Sequence, residues 1–216
     1  MKKILLIGGT GAMGVYLLPE LLKQGYQVDI TTRRHINSHD IDDNNTKYIT
    51  GNAHDISFLQ EVLNNNYDTI IDFMVYSTEE FANRVNLLLE NTSQYIFLST
   101  YRVFANEDKI INENSPRLLD VSKDTEYLKT DEYALTKARQ EDIIKNTQYN
   151  NWTIVRPSIT YSKARFQLEV LEADTVIYRS LKNKKVVLPR ELSQKYTTMT
   201  WAGDVAKMIA GLVLNN

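Results

Sequence analysis

A tyrosine and a lysine four positions apart are the first residues whose types and spacing suggest chemistry. Tyr133 and Lys137 belong to "DEYALTKARQEDII", residues 131–144, a stretch with the pattern of a helix. Residues four apart share one helix face, so Glu141 joins them in a single stripe. One interpretation is a solvated pair in which Glu141 binds Lys137. The other is a proton-transferring tyrosine tuned by the lysine, and spacing alone does not decide between them.

A second motif lies near the start of the chain. In "LLIGGTGAMG" the glycines have the spacing G-x-x-G-x-x-G, directly after an apolar strand and before a helix. Such glycines permit a tight turn, a close approach of backbone to a pyrophosphate, and close packing of the helix, whose N–H groups face the phosphates. The alternative is a glycine-rich turn without a ligand. The predicted dinucleotide contacts of this loop are Gly8, Thr10, Gly11, Ala12, Met13 and Gly14.

The end of the second strand, "DITTRR", bears on the choice of dinucleotide. About twenty residues beyond the glycine loop, a carboxylate would bind the ribose 2′-hydroxyl of NAD. Thr32 stands there instead, followed by Arg33 and Arg34. Guanidinium groups grip a 2′-phosphate that a carboxylate would repel, so the sequence favours NADP, with NAD possible. The alternative is that the two arginines form a solvated strand end.

Composition limits the classes of protein. The chain has 216 residues, 43% of them apolar and 24% charged, with a net charge of −2, which suits one α/β domain and does not favour nucleic acid. The absence of cysteine excludes disulfides and fits a reducing compartment. The apolar run Ile4–Ile7 is too short for a secretion signal, and no segment has the length of a membrane helix. We therefore expect a cytoplasmic protein without membrane contact.

Strand-like and helix-like segments alternate along the chain. This order, with nearly all-apolar strands, predicts a doubly wound parallel sheet, the NAD(P)-binding Rossmann fold. Two regions break the rhythm: a polar connection over 105–131, expected to be functional or disordered, and 161–198, with a helical piece over 166–181. We predict a Rossmann domain over 1–160, a small or incomplete substrate lobe over 161–200, and a helix returning to the core over 201–216.

Five motifs in order carry a resemblance to a known family. They are the glycine loop, "DTIIDFMVYS", "YIFLSTYRVFA", the Y-x-x-x-K helix and "WTIVRPSITYS". With them the chain resembles the short-chain dehydrogenase/reductase superfamily, and more narrowly its extended and atypical NAD-dependent epimerase/dehydratase branch. The likeness spans nearly all of the chain. The glycine-loop region also resembles the branch that contains chloroplast RNA-binding relatives.

The resemblance implies roles for particular residues. Thr100, four residues before Phe104, would hold the substrate oxygen, with Ser99 as the fallback if the register slips by one. Tyr133 would be the catalytic base, and Lys137 would lower its pKa, ordinarily about 10, while binding the nicotinamide ribose. The resemblance implies that both Tyr133 and Lys137 contact the cofactor. The further contacts that it implies, several of which could equally be core residues, are Asn52, Ala53 and Pro157, together with Phe73, Met74 and Val75, which are expected in the fourth strand.

The resemblance also implies a substrate class, the nucleotide sugars. Dehydratases of the family carry an Asp-Glu pair directly after the catalytic threonine, where this chain has Tyr101 and Arg102. That departure leaves a sugar-nucleotide epimerase or ketosugar reductase, and the NADP preference leans towards the reductase. Cations that could bind a substrate diphosphate, although the lysine run fits a solvated turn, are Arg102, Arg156, Arg165, Lys182, Lys184, Lys185 and Arg190.

Alternatives to turnover are an NADP-binding regulator and an RNA-binding relative. The intact Tyr133–Lys137 pair argues against the first, and the lack of a basic stripe against the second. His35 and His39 have a spacing that could bind metal on a helix, but their segment has loop character, so we predict no metal site. The chain pattern predicts one helix over Glu79–Glu90 and another that begins near Asp131. A homodimer through these two helices is expected from the resemblance.

Overall fold

A parallel sheet occupies the centre of the protein, described here from a computed structural model over residues 1–36, 44–106, 110–163, 165–168, 171–188, 190 and 196–215. In these ranges its strands are β1 (Lys3–Ile7), β2 (Gln27–Thr32), β3 (Thr46–Thr50), β4 (Tyr67–Asp72), β5 (Thr92–Leu98) and β6 (Trp152–Val155). Their order is β3-β2-β1-β4-β5-β6, all pairs parallel. The order reverses between β1 and β4, where a crevice opens beyond the carboxyl ends of the strands. The predicted fold class is confirmed.

Helices cover both faces of this sheet. Those in the described ranges are α1 (Gly14–Lys23), α2 (Ile56–Leu63), α3 (Thr78–Ala82), α4 (Val85–Glu90), α5 (Leu118–Val121), α6 (Thr125–Lys129), α7 (Tyr133–Lys145), α8 (Arg179–Leu181) and α9 (Ala202–Leu212). None of these helices has the length and apolar character needed to cross a membrane.

Strand β1 shows why the sheet needs helices on both sides. Leu5 and Ile7 pack into one core cluster, with side chains of α2, α3, α4 and α7. Ile4 and Leu6 pack into a second, with side chains of α1 and α9. Successive side chains of a strand alternate between faces, so a wholly apolar strand is stable only when both faces are covered. Burying each such side chain contributes about 1.5–3 kcal/mol.

The stretch 79–90 forms two helices where its pattern reads as one. The break lies at Arg84, a residue that is 3% exposed and whose Nε donates to the Glu80 carbonyl at 2.7 Å. In a continuous helix that carbonyl would accept the Arg84 backbone N–H, which instead donates to the Phe81 carbonyl at 3.1 Å. A side-chain hydrogen bond therefore replaces the helical one and ends α3. Ser77 and Glu80 form a capping box at its start.

The polar connection over 105–131 is largely ordered by one arginine. It contains α5 and α6, with residues 107–109 outside the described ranges. Arg117 donates to the Ala138 carbonyl on α7 at 3.1 Å, and ion pairs join it to Asp120 and Asp142 at 2.8 Å each. The connection is thereby tied to the helix that carries Tyr133.

In the segment 161–198, the first part of the helix predicted over 166–181 is not helical. Gln167–Leu168 and Leu171–Glu172 form a short antiparallel pair, β8 and β9. Among the described residues of the predicted helix, 174–181 are helical, as a π-helical stretch that leads into α8. An ion pair between Arg165 and Glu172, at 2.9 Å, closes this pair of strands. Beside it β7 (Ile159–Tyr161) pairs in parallel with β10 (Met199–Trp201). These elements stand near the carboxyl ends of β5 and β6.

Candidate active site at the carboxyl edge of the sheet

The glycine loop has the geometry of a phosphate cradle. Gly8 has φ +71°, a value that side chains rarely allow, and its N–H donates to Thr31 Oγ1 at 2.9 Å. A Cβ on Gly14 would lie 2.0 Å from the Gly9 carbonyl oxygen, so only glycine lets α1 begin this close to the loop. No side chain caps α1 at Met13. The N–H groups of Val15 and Tyr16 donate to the Gly11 and Met13 carbonyls, at 3.2 and 3.1 Å. The Gly14 N–H has no backbone partner in the described chain and is available to an anion.

Two alanine substitutions separate folding from binding in this loop. Gly14→Ala is expected to lower the free energy of unfolding by about 2–3 kcal/mol, because its methyl group meets backbone. Gly11→Ala has its nearest neighbour 4.0 Å away. It should leave stability within about 0.5 kcal/mol and weaken dinucleotide binding by about tenfold or more. Denaturant unfolding and fluorescence titration measure the two effects.

The matched control is Gly211→Ala in α9, where nothing lies within 4 Å of an added Cβ. It should keep full cofactor affinity. Unchanged affinity in Gly11→Ala would remove the loop from the binding site.

A cavity of about 340 Å³ adjoins the loop and gathers many of the predicted adenosine-side residues. Predicted residues that line it are Gly8, Thr10, Gly11, Thr32, Arg33, Arg34, Asn52, Ala53 and Met74. Thr31, Gly51 and His54 line it as well and were not predicted. Both arginines are exposed at its rim, and Thr32 Oγ1 accepts the Arg34 N–H at 3.1 Å. The cavity can hold an adenosine ribose with cations beside its 2′ position.

The wall of this cavity formed by residues 52–54 is held by a buried arginine. Arg84 donates to the carbonyls of Ala53 and His54, at 3.0 and 3.2 Å, and its guanidinium stacks 4.3 Å from the Tyr76 ring centre. Asn52 Oδ1 accepts the His54 N–H at 3.2 Å, which leaves the Asn52 amide N–H groups for a base. Arg84 was missed because its partners lie 30 residues away in sequence.

A second cavity, of about 380 Å³, contains the predicted catalytic residues. Predicted residues that line it are Met13, Phe73, Met74, Val75, Thr100, Tyr133, Lys137 and Pro157. Met74 lines both cavities, so they adjoin as the two halves of a dinucleotide site would. Ala12 and Gly14 line neither. Phe73, Met74 and Val75 were expected within the fourth strand, but β4 ends at Asp72 and they follow it.

Lys137 has an environment that a surface lysine would not have. It is 2% exposed, its Nζ lies 4.5 Å from the Phe97 ring centre, and it makes no hydrogen bond or ion pair with any described residue. Burial lowers the pKa of Lys137 to about 8, although the charges of Asp72 and Glu141 oppose the shift. A buried ammonium without hydrogen bonds is costly, and a bound ribose would supply them. The solvated Lys137–Glu141 pair is therefore wrong for this structure.

Glu141 binds other partners, Ser99 and Arg156, beneath the cavity. Its carboxylate is fully buried and accepts Ser99 Oγ at 2.6 Å and both Nε and Nη2 of Arg156 at 2.7 Å. Burial opposes its charge, yet these hydrogen bonds hold the pKa of Glu141 below its ordinary value. Because Ser99 donates its proton to Glu141, Thr100 is the one of these two candidates whose hydroxyl is left to donate into the cavity.

Thr100 and Tyr133 face the same cavity from different elements. Thr100 follows β5, is 7% exposed, and its Oγ1 accepts the Arg102 N–H at 3.3 Å. Tyr133 is the first residue of α7 and is 37% exposed. Burial raises the pKa of Tyr133, while the charges of Arg102 and Arg165 act in the opposite direction. A hydroxyl donor, a phenol and an ammonium thus line one cavity.

A buried carboxylate completes the surroundings of Lys137. Asp72 is 1% exposed and accepts the Tyr95 hydroxyl and the Met74 N–H, both at 2.9 Å. Burial raises the pKa of Asp72, and the charge of Lys137 opposes that shift. Asp72 was not among the predicted site residues. Its position as a charged residue at the end of the apolar strand β4 is the sequence signal that could have indicated it.

The residues suggested for a metal do not form a site in the part that can be described. His35 is exposed, while His39 lies outside the described ranges. Within those ranges no three His, Asp or Glu side chains are grouped as metal ligands.

A doubly wound sheet, a glycine-rich first loop and a Tyr-x-x-x-Lys helix beside the adjoining cavities define a nicotinamide-dinucleotide enzyme of the Rossmann class. The model of the NAD dependent epimerase/dehydratase family matches residues 4–216, so the chain belongs to that family. The resemblance seen in the sequence is confirmed. A search of curated protein sequences gave no match.

Solved structures share the fold at low sequence identity. WbmH of Bordetella bronchiseptica, in complex with NAD+, matches with TM-score 0.75 and 14% identity over 100% of this chain and 73% of that one. The UDP-glucuronic acid 4-epimerase of Bacillus cereus, in complex with UDP-glucuronic acid and NAD, gives 0.71 and 18%, over 99% and 74%. The UDP-N-acetylglucosamine 4-epimerase of Bacillus cereus gives 0.66 and 17%, over 100% and 74%.

Proposed function

We propose that the protein is a sugar-nucleotide epimerase or ketosugar reductase that uses Thr100, Tyr133 and Lys137. The observation that carries this proposal is the buried ammonium of Lys137, unpaired within the described chain and lining one cavity with the Tyr133 phenol and the Thr100 hydroxyl. Core packing alone gives no reason for a lysine there, because burial of its charge is unfavourable. A ribose bound at Lys137 gives the reason.

Each of the three side chains has a distinct role in this proposal. Thr100 donates a hydrogen bond to the reacting sugar oxygen and fixes its position. Tyr133 takes the proton of that oxygen when the sugar is oxidised and returns it when a ketosugar is reduced. Lys137 binds the nicotinamide ribose, and its positive charge favours the tyrosinate form of Tyr133. When bound, the dinucleotide accepts or supplies the hydride.

The cofactor proposed for this chain is NADP, with NAD as the other form. The glycine loop and the start of α1 would hold the pyrophosphate, and Arg33 and Arg34 at the end of β2 would hold the 2′-phosphate. The exposed position of both arginines at the rim of the 340 Å³ cavity supports this preference.

A fluorescence titration with NADPH and with NADH tests the cofactor proposal. Arg33→Ala is expected to weaken NADPH binding by about 10- to 100-fold, to the level of NADH, because a hydrogen bond to a charged group is lost. Arg179→Ala, an arginine that hydrogen-bonds the Lys185 carbonyl, is the matched control. Tighter binding of NADH by the unmodified protein would establish NAD as the cofactor and leave the arginines as a solvated strand end.

The substrate class is supported by the family and by two of the structural relatives, which act on UDP-linked sugars by their names. Tyr101 and Arg102 follow Thr100, so no carboxylate pair stands there to drive an elimination. Incubation of the cofactor-loaded protein with UDP-linked hexoses and ketosugars, followed by proton NMR of the sugar, tests the activity. Formation of a 4-epimer indicates the epimerase, and consumption of NADPH indicates the reductase. If neither is observed, the proposed function is refuted.

A further inference from the structure

An ion pair joins the turn that follows Thr100 to the start of the helix that carries Tyr133. Arg102 Nη2 lies 2.7 Å from Glu132 Oε1, across 30 positions of sequence. Arg102 belongs to the 3-10 turn Tyr101–Val103, and its N–H donates to Thr100 Oγ1 at 3.3 Å. Glu132 immediately precedes Tyr133, the first residue of α7. The ion pair therefore connects the two segments that bring the proposed catalytic hydroxyls into one cavity.

Glu132 is itself firmly held, so it fixes the arginine that it binds. Its Oε2 accepts the Ala134 N–H at 2.7 Å, which caps α7, and the Tyr127 hydroxyl at 3.1 Å. Its Oε1 is left for Arg102. The guanidinium carbon of Arg102 lies 5.6 Å from the Tyr133 ring centre, which is within the range of a cation–π contact.

The charges around the Tyr133 phenol have both signs. Besides Tyr133, the titratable residues that line the cavity or contact its lining at this end, within the described ranges, are Tyr101, Arg102, Glu132, Lys137, Arg165 and Glu172. Burial has the largest effect and raises the pKa of Tyr133. The charges of Arg102 and Arg165 lower this pKa, and the charge of Glu132 raises it by less than Arg102 lowers it. The two members of the ion pair thus act on the phenol in opposite directions.

Stability gives little reason for this ion pair. Its side chains are 44% and 30% exposed, and exposed ion pairs contribute little to the free energy of unfolding. A second exposed pair, Lys129 and Glu126 on α6 at 2.8 Å, does not line the cavity and serves as a comparison. What distinguishes the Arg102–Glu132 pair is its position between the two proposed catalytic residues.

We propose that the Arg102–Glu132 ion pair is a positioning element, which holds the Thr100 turn against the start of α7 and keeps a guanidinium beside the Tyr133 ring. This inference rests on the proposed function, because it concerns the catalytic residues named there. Arg102 orients the Thr100 hydroxyl through its backbone N–H, and Glu132 fixes its side chain. Arg102 is thereby assigned to Tyr133 and not to a substrate diphosphate, for which its charge also made it a candidate.

Fluorine NMR of the protein containing 3-fluorotyrosine follows the ionisation of Tyr133 and needs no substrate. The fluorine brings the phenol pKa into an accessible pH range, and Tyr133→Phe identifies the resonance among the 13 tyrosines. In Arg102→Gln the pKa of Tyr133 should rise, because a positive charge is lost. In Glu132→Gln it should fall, because a negative charge is lost. Lys129→Gln is the matched control and should leave it unchanged.

Turnover of UDP-linked sugars by the cofactor-loaded protein is the second measurement. We expect kcat at the optimal pH to fall about tenfold in Arg102→Gln and in Glu132→Gln, because the two catalytic segments lose their connection. Dinucleotide affinity should stay within about twofold. The double variant should lose no more than either single variant, since both substitutions remove the same contact. Lys129→Gln should keep full turnover.

An unchanged pKa of Tyr133 in both variants, or shifts of the same sign, would overturn the inference while the proposed function stands. A kcat within about twofold of that of the unmodified protein would overturn it as well. A raised KM in Arg102→Gln alone, with kcat kept, would assign Arg102 to the diphosphate and would also overturn it. Opposite pKa shifts without turnover of any sugar nucleotide would refute the proposed function and still support the effect of the ion pair on Tyr133.

Discussion

Replacing Tyr133 with phenylalanine is expected to lower kcat on the sugar nucleotide by about 10²- to 10⁴-fold, the usual contribution of a general acid–base group. Phenylalanine keeps the ring at the start of α7 and its contact with Arg102, and removes only the hydroxyl. Because Lys137, and not Tyr133, is assigned to the ribose, the dinucleotide affinity should change by no more than about twofold. Initial rates and a cofactor titration on one preparation measure both quantities.

The control for this substitution is Tyr178→Phe, which removes the hydroxyl of a tyrosine that is 54% exposed and does not line the cavity. Its turnover should equal that of the unmodified protein. If Tyr133→Phe kept more than about a tenth of the activity, another group would be the acid–base catalyst, and the Tyr-x-x-x-Lys pair would lose its proposed role.

Replacing Lys137 with methionine is expected to abolish turnover and at the same time to stabilise the protein. The pKa of Lys137 is about 8, against an ordinary value of 10.5, because burial disfavours its charge. That difference corresponds to a penalty of about 3 kcal/mol in the folded state. Methionine fills a similar space without a charge, so the free energy of unfolding at pH 7 should rise by up to about 3 kcal/mol. Asp72 loses a neighbouring charge, which reduces the gain.

The stability difference between Lys137→Met and the unmodified protein should depend on pH, which a difference in packing alone would not produce. Between pH 8 and 10.5 the unfolded chain binds the lysine proton and the folded chain does not. Stability of the unmodified protein therefore rises with pH across that window, and the penalty is fully present below it. The difference between Lys137→Met and the unmodified protein should shrink towards zero by pH 10.5. Urea unfolding at pH 7 and pH 10.5 measures it.

Lys129→Met, a lysine that is 71% exposed, is the matched control and should change stability by less than about 0.5 kcal/mol at either pH. A Lys137→Met protein that is less stable at pH 7 would show that the lysine serves the fold and not a ligand.

In the unmodified protein, cofactor binding should weaken as pH rises through about 8, because the ammonium that holds the ribose loses its proton.

The sequence by itself determined the sheet, the glycine loop and the family. These depend on signals between residues close together along the chain. The apolar run of β1 predicts a strand buried on both faces, and the glycine spacing predicts a turn that only a residue such as Gly8 can make. The four-residue spacing of Tyr133 and Lys137 places them on one helix face, as the start of α7 confirms.

Only the tertiary structure decided how that helix face is used. Lys137 does not pair with Glu141, because the Glu141 carboxylate is bound to Ser99 and Arg156, which lie 42 and 15 positions away. In the same way Arg84, which ends α3 through the Glu80 carbonyl, is held in that position by carbonyls 30 and 31 positions away. Sequence periodicity and helix propensity reflect contacts between residues a few positions apart, so they do not predict partners that are distant in sequence. Burial shifts the pKa of a charged side chain, and burial is set by the packing of segments that are distant in sequence.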